Sequence, residues 1–312
     1  MLLSEAGLLL FFIMLKFDGM EQQIISNIIK KYQSEFSEEL VISNRQSVGG
    51  GCISHSVKLE TNHGLFFLKW NANTPDDLFV REAESLRELG EAEQSDLIIP
   101  QVILANEASD LPGYLLLEFL TPGHTPSEDE RLGIGLAHLH RKTNDAFGFH
   151  HNNYCGSTEQ DNRWNSDWID FFGQQRILFL LEKISQTRSL SSTEKNTYNK
   201  LVERLPNLIP SHPEASLIHG DLWSGNYLYT AQGPALIDPA SYFADREMEL
   251  SMMSMFGGFS PASWRAYQNE FPLQAGWEER IQLYQIYHVL NHYFLFGGSY
   301  GNQALCIAQR YL

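Results

Sequence analysis

Residues 219–229 have the sequence HGDLWSGNYLY, and residues 236–238, at the end of the next apolar run, have the sequence LID. Transfer of a phosphoryl group to a hydroxyl requires a carboxylate beside the attacking oxygen and oxygen ligands for a magnesium ion that bridges the phosphates. Asp221 can supply the first, and Asn226 and Asp238 can supply the second. An Asp, an Asn five positions later and an Asp after an apolar strand are a specific combination, so this stretch predicts a phosphotransfer site.

Upstream of this stretch, three glycines, Gly49, Gly50 and Gly51, lie between two predicted strands. Glycines in such a loop allow backbone N–H groups to approach phosphate oxygens closely, although a glycine run between strands is also typical of an ordinary turn. Cys52 follows directly. A thiol beside backbone N–H donors can become more acidic and more reactive, so Cys52 is a candidate redox-sensitive residue, with an inert residue in a turn as the alternative.

Between the glycines and the HGD stretch lies a possible ion pair, Lys69 and Glu82. Lys69 shares a strand face with Leu65 and Phe67, and Glu82 falls on the apolar face of a predicted helix. Two charges that point inward from adjacent elements are costly unless they pair. A lysine held by a glutamate is how kinases present an ammonium group to the nucleotide phosphates, whereas a snorkelling Lys and a rim Glu are the alternative.

The pattern of apolar residues predicts an α+β chain with two lobes. After a predicted helix at 21–33, a small antiparallel sheet with one inserted helix occupies the first lobe, residues 20–120, and the second lobe, residues 121–312, is mostly helical. The predicted strands of the first lobe are 41–48, 54–61, 65–70, 99–105 and 114–120, with the helix at 76–89. A capping box formed by Ser127 and Glu130 is expected to open the first helix of the second lobe, and a further helix is expected at 164–181.

The first 19 residues are expected to be a dispensable extension. They contain the apolar run LLLFFIML at residues 8–15, which is too short to span a bilayer. No basic residue precedes this run, as it would in a secretory signal. We therefore expect no membrane association.

The formal net charge of the 312-residue chain is −16, with 38 acidic and 22 basic residues. This charge argues against nucleic-acid binding, which depends on Lys and Arg neutralising phosphates. The three cysteines are far apart in the sequence and form no CxxC pair. Reduced thiols and a cytoplasmic location are the corresponding expectation. His288 and His292 have a spacing that can bind zinc, but with no HExxH glutamate and no third ligand in view, structural histidines are favoured.

The motifs together resemble the fructosamine kinase (ketosamine-3-kinase) family, within the aminoglycoside phosphotransferase and choline kinase group of the protein-kinase-like fold. The resemblance is carried by HGDLWSGNYLY, by the run from Ile237 to Phe259, and by GGGCISHS, FFLKWN and AHLHRKT. It covers the chain from about residue 21 to the C-terminus. A fold with a small antiparallel-sheet N-lobe and a larger, mostly helical C-lobe is thereby implied.

The resemblance also implies an activity. A member of this family is expected to use ATP and Mg²⁺ to phosphorylate the 3-hydroxyl of the sugar in fructosamines or ribulosamines, as free compounds or on glycated lysines, in a deglycation repair role. The phosphates of ATP would lie under the glycine loop near Lys69, with Asp221 as catalytic base. The adenine would lie against Glu118, Phe119 and Leu120.

The contacts to the acceptor are predicted only from proximity to the motifs. Trp223 is a candidate for stacking on the sugar, as are Tyr242 and Trp264, whereas Asp245 and Glu247 could face the acceptor's amine. Two alternatives keep the fold: a kinase of another aminated alcohol, such as an aminoglycoside or a choline-like compound, and a nucleotide-binding module without turnover.

Overall fold

The structure, a computed structural model, describes residues 5–49, 54–92 and 96–312, and side chains from residue 19 onward. The chain divides into two compact units, Met1–Ala83 with Gln101–Phe119 and Glu84–Pro100 with Leu120–Leu312. Residues 84–100, which the sequence analysis placed in the first lobe, thus belong to the second unit. The reason is that Leu89, Ala92 and Leu97 pack in that unit's hydrophobic core.

A five-stranded antiparallel sheet forms the centre of the first unit. Its strands are β1 (Ile42–Ser47), β2 (His55–Thr61), β3 (Gly64–Asn71), β4 (Val102–Asn106) and β5 (Gly113–Glu118). They are ordered β1-β2-β3-β5-β4. A two-residue loop, Asn62-His63, joins β2 to β3 with Thr61 opposite Gly64. Gly64 has φ +109°, a conformation that glycine adopts without a steric penalty.

The two faces of β3 have different partners because side chains alternate along a strand. Phe66, Leu68 and Trp70 are buried in one apolar cluster with Ile24 and Ile28 of helix α1 (Glu5–Phe36). Lys69 lies on the opposite face of the strand. The packing of α1 on the sheet therefore leaves the other face of β3 for the charged residue.

Helix α1 contains the helix expected at residues 21–33 and extends it to Glu5. Residues 1–4, and the side chains of residues 5–18, lie outside the described part of the chain. That residues 1–19 are dispensable stays a prediction. None of the helices that the structure describes is long and apolar enough to cross a membrane.

The second unit is mostly helical. Its helices are α3 (Glu128–Leu139), α4 (Trp168–Asp170), α5 (Phe179–Thr187), α6 (Ser192–Arg204), α7 (Glu247–Phe256), α8 (Pro261–Glu270), α9 (Trp277–Phe296) and α10 (Tyr300–Arg310); α2 (Leu78–Gly90) is shared with the first unit. Its short strands are β6 (Thr143–Asn144), β7 (Asn153–Cys155), β8 (Thr158–Gln160), β9 (Ala215–Ile218), β10 (Tyr227–Tyr229), β11 (Pro234–Leu236) and β12 (Tyr242–Ala244). They pair as β10-β11, β7-β8 and β12-β9-β6.

Two local predictions for this unit were wrong. Ser127 precedes α3 with φ 56° and its side chain makes no capping hydrogen bond, so the expected capping box is absent. Instead the Glu128 carboxylate accepts a hydrogen bond from the backbone N–H of Thr125 at 3.0 Å. The helix expected at 164–181 begins later, at Trp168, because Asp167 accepts from the backbone N–H of Asp170 and so caps α4.

Candidate active site

The loop that follows β9 is held in a sharp turn. Gly220 has φ +85°, and a Cβ added there would lie 2.1 Å from the carbonyl oxygen of Ala240. The N–H of Ala240 donates to the carbonyl oxygen of His219 at 2.9 Å. Only glycine fits both the conformation and the close approach of the neighbouring backbone. This turn places Asp221 three residues after the end of the buried strand β9.

Asn226 is bound to Asp221 through its amide nitrogen. Nδ2 donates to the backbone carbonyl oxygen of Asp221 at 2.8 Å and reaches its carboxylate Oδ2 at 3.3 Å. The side-chain oxygen of Asn226, Oδ1, is therefore the atom left to coordinate a cation. The structure thus brings together the predicted base and one predicted metal ligand.

The hairpin of β10 and β11 places Asp238 beside Asn226. Asn226 directly precedes β10, and the N–H of Ile237 donates to the carbonyl oxygen of Asn226 at 3.0 Å. Asp238 is the next residue. It adopts φ 56°, which is uncommon for a residue other than glycine and occurs often at functional sites. The antiparallel register therefore explains why an Asn and an Asp twelve positions apart can serve one site.

The His219 side chain forms hydrogen bonds to the loop that carries Asp221 and to the segment that precedes Asp238. Its Nδ1 accepts from the backbone N–H of Asp221 at 3.3 Å, so its Nε2 carries the proton and donates to the carbonyl oxygen of Ile237 at 2.8 Å. Burial lowers the pKa of His219, which keeps the ring neutral. The imidazole links the two polypeptide segments that carry Asp221 and Asp238.

Asp221 lies in an environment that disfavours its ionised form. Burial, followed by the negative charges of Glu249 and Asp238, raises the pKa of Asp221 to about 8, against a partly offsetting hydrogen bond from Asn226. A carboxyl group whose pKa lies close to neutral pH is suited to accepting a proton in a reaction. Strongly shifted pKa values are also a general sign of functional sites.

Glu249 is a site residue that the sequence analysis missed. It lies on α7, is 1% exposed, and accepts hydrogen bonds from the backbone N–H of His219 at 2.5 Å and of Gly220 at 3.2 Å. His140 lies behind it, with Nε2 3.9 Å from the carboxylate. The available signal was a carboxylate within the apolar helix sequence EMELSMMSMF.

Within the first unit, Lys69 and Glu82 form the predicted ion pair. The ammonium group of Lys69 lies 3.1 Å and 3.0 Å from the two carboxylate oxygens of Glu82. Their side chains are 13% and 8% exposed, so most of the pair is shielded from water. Lys69 lies on β3 and Glu82 on α2, which agrees with the faces inferred from the sequence.

Only some of the other residues predicted to bind the nucleotide lie within the part of the chain that the structure describes. Gly50, Gly51 and Cys52 lie outside the described residues, and a Cβ at Gly49 would meet no described atom within 4 Å. The packing therefore does not itself require glycine at position 49. The backbone N–H groups of Glu118 and Phe119 donate to Gln101 and Leu65 within the sheet of the first unit, so neither is available to a ligand.

The residues proposed to contact the acceptor differ in their exposure. Trp223 is 38% exposed, two positions from Asp221, and its ring meets Phe256 edge to face. Asp245 is buried and accepts from the Tyr284 hydroxyl at 2.6 Å. Buried Glu247 pairs with Arg280 at 2.6 Å.

Tyr242 is completely buried, with the guanidinium of Arg176 4.0 Å from its ring centre. Asp245, Glu247 and Tyr242 are therefore engaged inside the protein. Trp264 is half-buried and stacks on Trp277 with ring centres 6.1 Å apart. We keep Trp223, the more exposed of the two tryptophans, as the main proposed acceptor contact, and Trp264 stays a prediction.

Comparison with known proteins adds a decisive observation to this geometry. The sequence model described as fructosamine kinase matches residues 22–312. The chain belongs to the fructosamine kinase family. As a member of that family it is a phosphotransferase, and the family and the kinase-like fold inferred from the sequence are confirmed.

Individual members of the fructosamine kinase family and its neighbours are similar over most of their length. The "Probable ketoamine kinase" of Enterococcus faecium is 36% identical over 258 residues, 82% of this chain and 91% of that protein. The chloroplastic protein-ribulosamine 3-kinase of Arabidopsis thaliana is 37% identical over 270 residues, 85% of this chain and 82% of that protein.

Solved structures agree with this assignment. A crystal structure of a candidate fructosamine-3-kinase from Thermobifida fusca has a TM-score of 0.79 and 30% identity, covering 91% of this chain and 98% of that chain. Aminoglycoside phosphotransferase APH(4)-Ia, with a TM-score of 0.59 and 16% identity over 93% of this chain and 98% of that chain, shares the fold alone.

Proposed function

We propose that this protein transfers the γ-phosphoryl group of ATP to the 3-hydroxyl of the sugar moiety of a ketosamine. The observation that carries the proposal is the arrangement of three residues in a chain of the fructosamine kinase family. Asn226 binds the backbone carbonyl and the carboxylate of Asp221, and Asp238 lies beside them. A positioned carboxylate with adjacent oxygen ligands is what phosphoryl transfer to an alcohol needs.

The proposed nucleotide contacts follow from the available donors. The ammonium group of Lys69, oriented by Glu82, would bind phosphate oxygens, and backbone N–H groups of Gly49–Gly51 would do the same. Along the segment Glu118-Phe119-Leu120, the N–H of Leu120 is the donor left for the adenine, since the first two N–H groups are used within the sheet. In the related fold, one APH(4)-Ia structure is a ternary complex with AMP-PNP.

The donor set near Asp221 fits a magnesium ion. Asn226 Oδ1 and the Asp238 carboxylate are hard oxygen ligands, which Mg²⁺ prefers together with phosphate oxygens and water. Asn226 is fixed by its amide nitrogen, so its oxygen is presented in one direction. When bound, the ion would neutralise negative charge on the phosphates.

The chemical step assigned to this chain is a proton transfer at Asp221. As the acceptor's hydroxyl oxygen forms a bond to the γ-phosphorus, the bond from that phosphorus to the β–γ bridging oxygen breaks and ADP leaves. The carboxylate of Asp221 takes the hydroxyl proton. Positive charge near Asp238 would offset the repulsion that raises the pKa of Asp221, and so would favour the ionised base.

A ketosamine is the proposed acceptor because of the relatives and the local chemistry. The relatives quoted above carry the names ketoamine kinase and protein-ribulosamine 3-kinase. Trp223 offers an exposed aromatic face close to the base, and aromatic faces bind both sugar rings and cationic amines. Phosphorylation of such sugars, free or on lysine side chains, would initiate their removal.

The test is release of ADP in the presence of Mg²⁺ with three acceptors in parallel: a small fructosamine, a ribulosamine and kanamycin. We expect ADP release with one or both ketosamines, and phosphorus NMR of the product should place the phosphate on the 3-hydroxyl. Asp221→Asn is the control for contaminating ATPase activity. Turnover of kanamycin with neither ketosamine turned over would overturn the acceptor assignment and leave only the phosphotransferase.

A further inference from the structure

Two further side chains that can bind a metal lie close to the carboxylate of Asp221. Cys155, Asp221 and His288 each offer one ligand atom, and these atoms all lie within 4.8 Å of one another. Cys155 ends strand β7, and His288 lies in the middle of α9, so the three come from well-separated parts of the sequence. The magnesium ligands proposed above, Asn226 and Asp238, are not among them.

His288 is a buried histidine whose ring meets that of Tyr287 edge to face. It is 2% exposed, and its Nδ1 has no hydrogen-bond partner within the described ranges 5–49, 54–92 and 96–312. A buried polar atom without a partner is costly, and such groups are rare unless a water or an ion completes them. Burial, followed by electrostatic interactions with His292 and Arg176, lowers the pKa of His288 to about 3, so its ring is neutral and able to coordinate a metal.

Cys155 is also enclosed. It is 3% exposed, and Asn291, three residues after His288 on α9, donates to its backbone oxygen at 3.2 Å. Burial raises the pKa of the Cys155 thiol, whereas the nearby guanidinium of Arg176 acts to lower it. The thiol is therefore protonated until a bound cation replaces its proton.

We propose that Cys155, Asp221 and His288 form a binding site for Zn²⁺, a divalent cation that binds sulfur ligands. We further propose that occupation of this site by the cation inhibits phosphotransfer. Sulfur, imidazole nitrogen and carboxylate oxygen are a usual ligand set for zinc, with water in the fourth position. Ligand atoms of a tetrahedral zinc site are roughly 3.5 Å apart, so small side-chain rotations from the present arrangement suffice. Magnesium, which requires oxygen ligands, does not compete for the sulfur.

Binding involves no oxidation or reduction. The cation loses water molecules, the imidazole donates a lone pair, and the thiol of Cys155 and the carboxyl group of Asp221 each release a proton to solvent as their bonds to the metal form. Among the three residues, Asp221 has the greatest exposure, which gives the cation a path from its side. Once coordinated, the carboxylate of Asp221 no longer accepts the acceptor's proton.

The proposed metal site depends only on the geometry, whereas the proposed inhibition also rests on the proposed function. The first test therefore measures metal binding and not activity. Cobalt(II) binds at zinc sites and, unlike zinc, gives visible absorption bands. It is titrated into the full chain without nucleotide. We expect a thiolate-to-cobalt charge-transfer band and intense tetrahedral d–d bands, which added Zn²⁺ removes. Absence of the charge-transfer band would overturn the proposal and leave a polar cluster that holds water.

Matched variants assign the ligands. Cys155→Ser and His288→Gln should each weaken cobalt binding by at least about 100-fold, since even the loss of a supporting contact costs roughly 10- to 100-fold. The controls are Cys306→Ser, at an exposed cysteine, and His292→Gln, one turn along α9. A band that survives in Cys155→Ser, or disappears in Cys306→Ser, would overturn the assignment. If Cys155→Ser fails to fold by circular dichroism, His288→Gln decides alone.

Activity is the second readout. With excess Mg²⁺ and ATP, buffered Zn²⁺ should inhibit ADP release by the parent chain and by Cys306→Ser, and His288→Gln should need at least about 100-fold more Zn²⁺ for equal inhibition. Equal inhibition of the parent and His288→Gln would overturn the inhibitory role. A chain that shows the cobalt band but phosphorylates no acceptor would retain the site and contradict the proposed function instead.

Discussion

The buried carboxylate of Glu249 accepts a 2.5 Å hydrogen bond from the backbone N–H of His219. Its second oxygen accepts from the N–H of Gly220, so one side chain on α7 satisfies two consecutive N–H groups of the loop that carries Asp221. Hydrogen bonds to an ionised acceptor are short and strong. Glu249 therefore positions the loop that carries Asp221, the proposed base.

Glu249→Gln should impair both stability and turnover. The amide would turn an N–H₂ group toward one of the two backbone donors and leave it unsatisfied, which costs about 1–3 kcal/mol in the free energy of unfolding. Displacement of the loop should lower kcat roughly 10- to 100-fold with little effect on the KM for ATP. Urea unfolding and steady-state kinetics measure these effects, with Glu278→Gln, at an exposed glutamate of α9, as the control. An unchanged kcat would show that the loop keeps its position without this contact.

Asp221→Asn should separate catalysis from nucleotide binding. Turnover should fall by at least ~10²-fold with nucleotide binding retained, the usual scale for loss of a positioned base. In Asp238→Ala, by contrast, the loss of a metal ligand should abolish magnesium-dependent nucleotide binding, as measured by calorimetry. Parent-like turnover by Asp221→Asn would refute the assignment of the base.

The same variant, Asp221→Asn, should alter the pH dependence of stability. The pKa of Asp221 is raised from 3.8 to about 8 in the folded chain, so between these values the folded state holds a proton that the unfolded state has lost. Stability contributed by the neutral carboxyl is thus present below pH 3.8 and lost as the pH rises to about 8. Asp221→Asn should lose this component and be more stable than the parent at pH 8. Urea titrations at several pH values test this, and parallel curves for the two chains would contradict it.

Removal of Lys69 should weaken ATP use and leave a buried charge. Lys69→Met deprives the Glu82 carboxylate of its partner, so the free energy of unfolding should fall by about 1–3 kcal/mol, and kcat/KM for ATP should fall at least roughly 100-fold. The double variant Lys69→Met with Glu82→Met should recover stability without recovering activity, because apolar replacement of both residues removes the cost of a buried carboxylate that has lost this ion pair. Lys30→Met, at an exposed position of α1, is the control. Recovery of activity in the double variant would exclude a role for the ammonium group.

His288 should contribute to destabilisation in acid. Its pKa is lowered from 6.5 to about 3 in the folded chain, so below pH 6.5 the unfolded state binds a proton that the folded state does not. Stability is therefore lost as the pH falls from 6.5 toward 3. His288→Gln, which does not titrate, should show a shallower acid slope in thermal melts between pH 7 and pH 4. The exposed His212→Gln should keep the parent's slope, and an equal slope in His288→Gln would contradict the buried, neutral state.

Predictions based on local patterns succeeded where the interaction lies within a short stretch. Asp221 and Asn226 meet because one tight turn joins them, and Lys69 and Glu82 were paired from the faces of one strand and one helix. The capping box at Ser127 was wrong because a residue with φ 56° does not direct its hydroxyl to the helix N–H groups. A sequence pattern shows which residues have the right chemistry, but it does not show the backbone conformation that aims them.

The sequence by itself determined the two-lobed α+β class, the family, and the order and spacing of Asp221, Asn226 and Asp238, because these depend on residue type and on short separations along the chain. Only the tertiary structure decided that Glu249 supports the loop and that Cys155 and His288 lie beside Asp221. It also decided that Asp245 is turned inward. Such relationships arise when helices α7 and α9 pack against the loop that carries Asp221. Packing joins residues far apart in the sequence, and no local periodicity records which of them will meet.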